Sequence, residues 1–296
     1  TNNAFGIAGV CWNCKIMPVR VMADSGVSNY SDIALGVKYA ADKGANVINL
    51  SLGGYAYSNA LREAINYAVN EKNVAVVAGA GNDNVSTPFY PAAYDNVLAV
   101  AGTTAADTKA DFSDYGTWVD VSAPAVEITT TYMGGDWGAA NGTSLAAPFV
   151  AGVAVLIRSQ HPPTEWNATM VRNQILQTVD NIDPVNPAYA GQLGAGRVNA
   201  AKAMQPPRPV IALAGTSVNG DPLGRPVPGE SATLAITVRN DWWDAAGVTG
   251  VLSTADPYVT LSQATASYGN LASGATGTSS PIYAFTVAAG AGYNHP

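Results

Sequence analysis

The sequence NGTSLAAPFVAGVAVLI, residues 141–157, decides how the rest of this chain is interpreted. The helix that it predicts is apolar on every side, at Leu145, Phe149, Val150, Val153, Leu156 and Ile157. A helix that is apolar all round is buried in the centre of a protein. The unpaired N–H groups and the dipole at its N-terminus favour negative charge near Ser144. The stretch therefore predicts Ser144 as a candidate nucleophile for acyl transfer.

A structural alternative is open for the same residues. Ser and Thr are common helix N-caps, so Thr143 or Ser144 could simply cap the helix. The stretch also differs from the G-x-S-x-G nucleophile elbow, because Ala146 stands where that motif has glycine.

Length and composition limit the classes of protein. A chain of 296 residues allows one large domain or two, and 48% hydrophobic with 12% charged residues indicates a globular protein. A net charge of −7 argues against nucleic acid or an anionic membrane as partner. No apolar run approaches the roughly 18 residues of a membrane span, and the first residues do not resemble a signal peptide.

The first 100 residues alternate between strand and helix patterns. We predict strands at 16–22, 46–52, 74–78 and 97–101, and helices at 32–43 and 59–71. This alternation is typical of an α/β fold with a parallel sheet covered on both faces. Ligands of such sheets bind beyond the carboxyl ends of the strands, which directs attention to the loops after Leu52 and Ala78.

Both loops are rich in glycine. The first contains Ser51-Leu52-Gly53-Gly54, and the second contains Gly79-Ala80-Gly81-Asn82-Asp83. Glycine lets a substrate backbone approach closely, and an asparagine amide can donate to a developing oxyanion. Gly81-Asn82 taken alone could equally be an ordinary turn.

Taken in order, Gly81-Asn82 and then NGTSLAAPFVAG resemble the subtilisin-like serine peptidases, the subtilases, and the resemblance runs from residue 1 to about 204. It implies a three-layer α/β domain with a mostly parallel sheet. It also implies that Ser144 is the nucleophile and Asn82 the oxyanion donor. Ser51, Leu52 and Gly53 would pair with the substrate backbone, while Gly79, Ala80 and Gly81 would form one wall of the primary specificity pocket. No organic cofactor is implied.

The resemblance extends to a cis proline at Tyr90-Pro91 and to two cation sites. Asn3 with the carbonyls of Thr1, Phe5 and Ile7 resembles part of a structural calcium loop. Asp120 with the carbonyls of Ala92, Tyr94 and Val97 resembles a weaker site. Oxygen ligands suit a hard cation, although solvated turns would explain either set.

The histidines depart from the family pattern. A serine nucleophile needs a base within about 3 Å, which itself needs an orienting group. His161 lies 17 residues after Ser144, about 25 Å away along a continuous helix, and His295 lies in the last residues. Because the triad order in subtilases is Asp, His, Ser, we expect that Asp and His precede Thr1 and that this fragment hydrolyses nothing well. Five other carboxylates are expected to be solvated or capping groups: Asp83, Asp107, Asp111, Asp114 and Asp136.

The two cysteines, Cys11 and Cys14, are three residues apart. A local disulfide or two free thiols are the expected states, because too few further ligands accompany them for a four-ligand metal site.

The pattern changes after residue 204. Gln205-Pro206-Pro207-Arg208-Pro209 predicts a stiff linker over 205–209. We expect a small all-β sandwich over 210–296, incomplete if the chain stops inside it, with strands at 232–238, 248–252, 258–261 and 282–287. Trp242-Trp243 could be a sugar-stacking platform or a bulge or core pair.

The sequence thus predicts a secreted, monomeric serine endopeptidase acting on polypeptides, represented by residues 1–204 of its catalytic domain and an accessory β-domain. Two alternatives stay open. One is a pseudopeptidase that binds without cleaving, and the other is an adhesion module that acts through 209–296.

Overall fold

The computed structural model describes residues 6–219 and 224–291, which form two compact units, Thr1–Gln205 and Pro206–Pro296. In the first unit the helices are α1 Tyr30–Asp42, α2 Asn59–Asn66, α3 Thr143–Gln160, α4 Ala168–Leu176 and α5 Ala200–Ala203. Its strands are β1 Val47–Leu50, β2 Ala75–Gly79, β3 Val97–Thr103, β4 Val121–Pro124, β5 Ile128–Thr131 and β6 Trp137–Ala140.

The strands β1 to β4 form a parallel sheet in the order β1-β2-β3-β4. Leu50 lies beside Ala78, and Ala78 lies beside Ala99. This register brings the loops after β1 and β2 to the same edge of the sheet, as the sequence predicts. The strands β5 and β6 form a separate antiparallel hairpin.

The helices cover the sheet in layers. Side chains of α1 and α2, among them Val37 and Leu61, pack with alternate residues of β1, β2 and β3 in one buried cluster. The helix α3 contacts all four strands and contributes nothing to that cluster, so it covers the other face. This is the three-layer α/β fold that the resemblance implies.

The helix α3 is the core helix of the unit. Its buried side chains include Val150, Val153 and Ile157. By length and composition it could cross a membrane, and it is the one such helix in the part of the chain that the structure describes. Half of it is buried inside the protein, as expected for a helix that packs on a sheet.

The other predicted elements of the first unit are found with one exception. Observed β1, β2, β3, α1 and α2 overlap their predicted ranges, and α2 continues into a π-helical turn, Tyr67–Glu71. The strand predicted at 16–22 is wrong. Val19 and Val21 pack against the buried cluster, but Ile16 is 89% exposed, and within the described ranges no neighbouring strand pairs with this segment. An apolar run without a backbone partner does not form a strand, because its N–H and C=O groups remain unpaired.

The structure shows the state of the Tyr90-Pro91 peptide bond and of the two cysteines. Tyr90-Pro91 is a cis peptide, as the resemblance implies. Cys11 and Cys14 form a disulfide, which decides between the two states left open.

The second unit consists of antiparallel strands: β7 Val210–Val218, β8 Ser231–Trp242, β9 Ala245–Val251, β10 Val259–Gln263, β11 Thr265–Leu271, β12 Thr276–Thr278 and β13 Tyr283–Val287. One sheet has the order β10-β13-β8-β12 with β7 also on β8, and β11 pairs with β9. The predicted all-β character is confirmed. The strands β7, β11 and β12 were missed because glycine and serine interrupt their apolar pattern.

Trp242 and Trp243 form a packed pair. Trp242 is 4% exposed, and the two rings meet edge to face at a centroid distance of 5.8 Å. A platform for stacking a sugar needs an exposed ring face. The structure therefore favours the core pair for Trp242.

An ion cluster joins the end of α4 to the start of α5. Asp180 accepts hydrogen bonds from Lys202 Nζ (2.6 Å), Asn199 Nδ2 (2.9 Å) and Arg197 Nη2 (2.5 Å). These donors, Lys202 first, hold the pKa of Asp180 well below its usual range. These bonds exist only in the folded protein, so they stabilise the ionised form of Asp180 there and not in the unfolded chain.

We predict that Asp180→Asn lowers the free energy of unfolding at pH 7 by about 1–3 kcal/mol, because three donors lose their anionic acceptor. The folded pKa lies below the unfolded value of about 3.9, so this stability is present above about pH 4 and is lost as the pH falls further. Urea titration at pH 7 and pH 3 measures both values.

As the control, Asp24→Asn removes a carboxylate that is 96% exposed and paired with Arg20 alone. It should change stability by less than about 0.5 kcal/mol. An equal effect of the two substitutions would contradict the prediction.

Candidate active site

Ser144 stands in the first turn of α3. The N-cap of this helix is Gly142, with φ of 146° and no side-chain cap hydrogen bond, and Thr143 is the first helical residue. The capping alternative for Thr143 and Ser144 is therefore wrong. Glycine suits this cap because a positive φ of this size is rarely adopted by residues with a side chain.

Hydrogen bonds connect Ser144 with Ser51. Ser51 Oγ donates to the Ser144 carbonyl at 2.7 Å, and Ser144 Oγ lies 3.4 Å from the Ser51 carbonyl oxygen. Asn49 Nδ2 donates to Ser51 Oγ at 3.0 Å and orients it. The long Ser144 Oγ contact is weak, so the hydroxyl is held near β1 without being locked.

The segment after β1 offers an open backbone edge. No backbone hydrogen bond between described residues involves Leu52 or Gly53, whereas Gly54 exchanges two bonds of 2.8 Å with Tyr90. A Cβ at Gly53 would lie 2.4 Å from both the Phe89 ring and the Tyr90 carbonyl oxygen, so only glycine fits. An open edge of this kind can pair with another extended chain.

Asn82 is oriented by the first turn of α3. Its Oδ1 accepts from the Thr143 N–H at 2.8 Å and from Thr143 Oγ1 at 3.1 Å. Thr143 Oγ1 in turn accepts from the Gly81 N–H at 3.1 Å. Because two donors occupy the oxygen end of the amide, the Nδ2 donor is the end that remains available.

Two N–H donors lie close to Gly142, beside Ser144. A Cβ built on Gly142 would lie 3.8 Å from the Ser144 backbone nitrogen and 3.8 Å from both Nδ2 and Oδ1 of Asn82. Neither donor has a hydrogen-bond acceptor among the residues that the structure describes. Neighbouring N–H donors without a partner are the groups that an oxyanion site requires.

The predicted pocket wall lies where the α3 and β2 backbones meet. A Cβ at Gly79 would lie 3.0 Å from the Thr143 carbonyl, and one at Gly81, with φ of 111°, would lie 2.1 Å from Asp114 Oδ2. Ala80 is fully buried in a cluster with Ala101 and Val119. The methyl group of Ala80 therefore packs in the core, and only its backbone can contribute to a wall.

Asp114 was expected to be solvated or capping, and the structure shows that it is buried. Its Oδ1 accepts from the N–H groups of Asp83 (2.9 Å) and Val85 (3.0 Å), and its Oδ2 lies 2.9 Å from the Tyr55 hydroxyl. One carboxylate thus holds the loop that carries Asn82. Nothing in the sequence around Asp114 signals this, because its partners lie about 30 and 60 residues away.

Tyr55, which follows β1 in the chain, bonds to both Asp114 and Asp83. Its hydroxyl lies 2.6 Å from Asp83 Oδ2, and its ring meets Phe89 edge to face at 5.1 Å. Burial, together with the hydrogen bonds to Asp83 and Asp114, raises the pKa of Tyr55. Tyr55 thus remains a neutral donor between two carboxylates.

Asp107 also differs from expectation, because Arg197 Nη1 contacts both of its carboxylate oxygens, at 2.9 and 3.1 Å. Of the two histidines, the described residues include His161 alone, and it lies at the opposite end of α3 from Ser144. His161 follows the end of α3, where its ring stacks on Trp166 at 3.9 Å, and His295 lies outside those residues.

The two cation expectations have different outcomes. Asn3 lies outside the described residues. Asp120 does not fit a cation ligand, because one oxygen pairs with Arg172 and the other accepts from the Ala99 N–H at 3.0 Å. Burial raises the pKa of Asp120, while Arg172 opposes that rise. A guanidinium therefore neutralises this carboxylate, and we derive no metal chemistry from it.

We predict that Asp114→Asn lowers the free energy of unfolding by about 2–3 kcal/mol, because a buried amide cannot accept from all the donors that now meet a carboxylate. Hydrogen exchange at the Asp83 and Val85 amides should quicken more than exchange in β3. The matched control is Asp136→Asn on the exposed β5–β6 turn, which should leave both measurements unchanged. Equal effects of the two variants would refute this role.

Comparison with known proteins agrees with this geometry. The profile of the Subtilase family matches residues 1–199. Over 204 residues the chain is 46% identical to the thermophilic serine proteinase of Bacillus sp. (strain AK1), covering 69% of this chain and 49% of that protein. Over 205 residues it is 45% identical to thermitase of Thermoactinomyces vulgaris, covering 69% and 70%. The chain thus spans about half the length of the first relative.

Solved structures show the same relationship. A protease of Pseudoalteromonas arctica superposes with a TM-score of 0.63 at 34% identity, covering 68% of this chain and 66% of the other. The patellamide maturation protease superposes with a TM-score of 0.63 at 29% identity, covering 68% and 78%. Since the family profile covers two thirds of the sequence and relatives at 45–46% identity match 69% of it, the chain belongs to the subtilase family.

Proposed function

We propose that this chain is part of a serine endopeptidase in which Ser144 attacks the peptide carbonyl. The observation that carries the proposal is the pairing of Asn82 Oδ1 with Thr143, which leaves Asn82 Nδ2 available as a donor near Gly142, where the Ser144 N–H also lies. Membership of the subtilase family and the names of the serine peptidase relatives support it.

The proposed mechanism follows from where each group stands. The substrate backbone pairs with the open edge at Leu52 and Gly53, which positions the scissile carbonyl over Ser144. Ser144 Oγ bonds to the carbonyl carbon as its proton passes to a general base. The carbonyl oxygen then carries negative charge, which Asn82 Nδ2, the Ser144 N–H and the N-terminus of α3 stabilise. Collapse expels the amine, which takes the proton from the general base. Water then attacks the acyl group, releasing the carboxylic acid and restoring the Ser144 hydroxyl.

The general base has to come from outside the described residues. The histidine that these residues include, His161, is at the opposite end of α3. An oxyanion site without a base keeps only a small part of the catalysis. Without such a base the site should cleave peptides very slowly, so activity is best measured in the natural full-length protein.

We also propose an extracellular location and an accessory role for Pro206–Pro296. The Cys11–Cys14 disulfide supports the location, because disulfides persist in oxidising compartments. The separate compactness of the second unit supports an accessory domain that takes no part in the chemistry. The mechanism uses no organic cofactor.

Fluorophosphonate labelling tests the nucleophile. We expect the full-length protein to be labelled at Ser144 and Ser144→Ala to lose the label. The matched control is Ser159→Ala, an exposed position on the same helix, which should be labelled normally. Labelling that survives in Ser144→Ala would refute the role. Peptide binding by a full-length protein that never becomes labelled would show a binding protein instead.

Asn82→Ala should lower kcat roughly 10²- to 10³-fold with little change in KM, because the lost donor acts on charge that develops in the transition state. Steady-state hydrolysis of a peptide anilide measures both constants. Asn13→Ala, at an exposed position near the disulfide, is the control and should behave as wild type. A rise in KM with kcat unchanged would mean that Asn82 serves binding.

A further inference from the structure

Lys109 is a buried lysine that forms no salt bridge with any described residue. It is 8% exposed, and in the described part of the chain no acidic group lies within salt-bridge distance of its Nζ. Nζ donates to Asn84 Oδ1 at 2.7 Å and to the Ala110 carbonyl at 3.0 Å. Burying a charge is costly unless strong interactions replace its hydration, so this position requires an explanation.

Two tyrosine rings complete the surroundings of the ammonium group. Nζ lies 5.2 Å from the Tyr115 ring centroid and 5.0 Å from that of Tyr189, and the rings meet edge to face at 4.9 Å. Both distances are within the range of cation–π attraction. Burial lowers the pKa of Lys109, while Asp111 and Asp114 oppose that effect.

Three chain segments meet at Lys109. Its side chain bonds Asn84, on the loop that carries Asn82. Its backbone N–H donates to Asn186 Oδ1 at 2.7 Å, and Asn186 is 5% exposed. Lys109 itself belongs to the segment between β3 and β4 that supplies Asp114. Lys109 therefore joins the Asn82 loop to two segments behind it.

The hydrogen bond from Lys109 reaches the loop at Asn84, two residues after Asn82. Asn84 has φ of 56°, and its backbone N–H donates to the Phe112 carbonyl at 2.9 Å. Asp114 holds the N–H groups on either side, at Asp83 and Val85. Among the described residues, Lys109 supplies the side-chain hydrogen bond that restrains Asn84, two residues after Asn82. Small displacements of a group that stabilises a transition state are costly.

We propose that Lys109 is a positioning residue that holds the loop at 82–86, through Asn84, so that the Asn82 amide stays directed at the oxyanion. The catalytic part of this inference rests on the proposed function. The structural part does not, so the two can be measured separately.

The structural test uses the present chain and needs no activity. Lys109→Met keeps the apolar stem and removes the donors. We expect it to quicken amide exchange at Asp83, Asn84 and Val85 about tenfold or more, and to broaden or shift the Asn82 side-chain amide NMR signals. Lys109→Arg, which keeps a cation with several donors, should recover most of both changes. Unchanged exchange and unchanged Asn82 signals in Lys109→Met would overturn the proposal.

The control is Lys43→Met. Lys43 is exposed at the end of α1, with Nζ 5.8 Å from the Tyr39 ring. The substitution Lys43→Met therefore removes a cation–π contact at the end of α1, outside the loop at 82–86. A similar change at Asp83–Val85 in this variant would mean that the effect is not specific to Lys109, and would also overturn the proposal.

The kinetic test uses the active full-length protein. Lys109→Met should lower kcat roughly tenfold with KM nearly unchanged. In an Asn82→Ala background the same substitution should have almost no further effect, because both changes act on one donor. Full additivity of the two substitutions would overturn the positioning role. A full-length protein without hydrolysis would refute the proposed function, while the exchange measurements would still decide whether Lys109 holds the loop.

Discussion

The site depends on the contact between the first turn of α3 and the loop after β2. Thr143 donates twice to Asn82 Oδ1 and accepts from the Gly81 N–H, so one residue joins the helix to the loop through three hydrogen bonds. These bonds occupy Asn82 Oδ1, so the Nδ2 end of the amide remains available as a donor. The Ser144 N–H belongs to the same helical turn as Thr143, so its position relative to the Asn82 amide is kept only while the helix and the loop stay in contact.

The contact between α3 and the loop after β2 requires close packing. The approach of α3 to the sheet brings Thr143 within 3.0 Å of a Cβ built on Gly79, and Asp114 leaves no room for one on Gly81. Gly142 has a backbone conformation that residues with side chains rarely adopt. Two buried polar groups hold the loop. One is Asp114, which also bonds the Tyr55 hydroxyl, and the other is Lys109, which lies against two tyrosine rings. In a buried setting such groups are stabilising only when each is fully hydrogen-bonded, which restricts the loop to one conformation. Preorganised donors of this kind do not have to reorient during a reaction.

Much of this arrangement was predictable from local pattern. The alternation of strand and helix predicted three of the four sheet strands, the helices α1 and α2, and the sheet edge that carries the loops of Asn82 and Ser51. The strand expected at 16–22 fails for a reason that local pattern cannot show, since a strand requires a neighbouring backbone. The same limit applies to Asp114. Its sequence context matches that of a solvated turn residue, and its burial depends on donors about 30 and 60 residues away.

The sequence by itself determined the fold class, the family resemblance, and Ser144 and Asn82 as the candidate chemical groups, because residue type and spacing encode periodicity and turn preference. Only the tertiary structure decided that Gly142, not a hydroxyl side chain, caps α3, that Arg172 occupies the Asp120 carboxylate, and that Lys109 joins the loop to the segments behind it. These outcomes depend on which groups meet after the chain has folded, and hydrogen-bond pairing between distant residues leaves no periodic signal in the sequence.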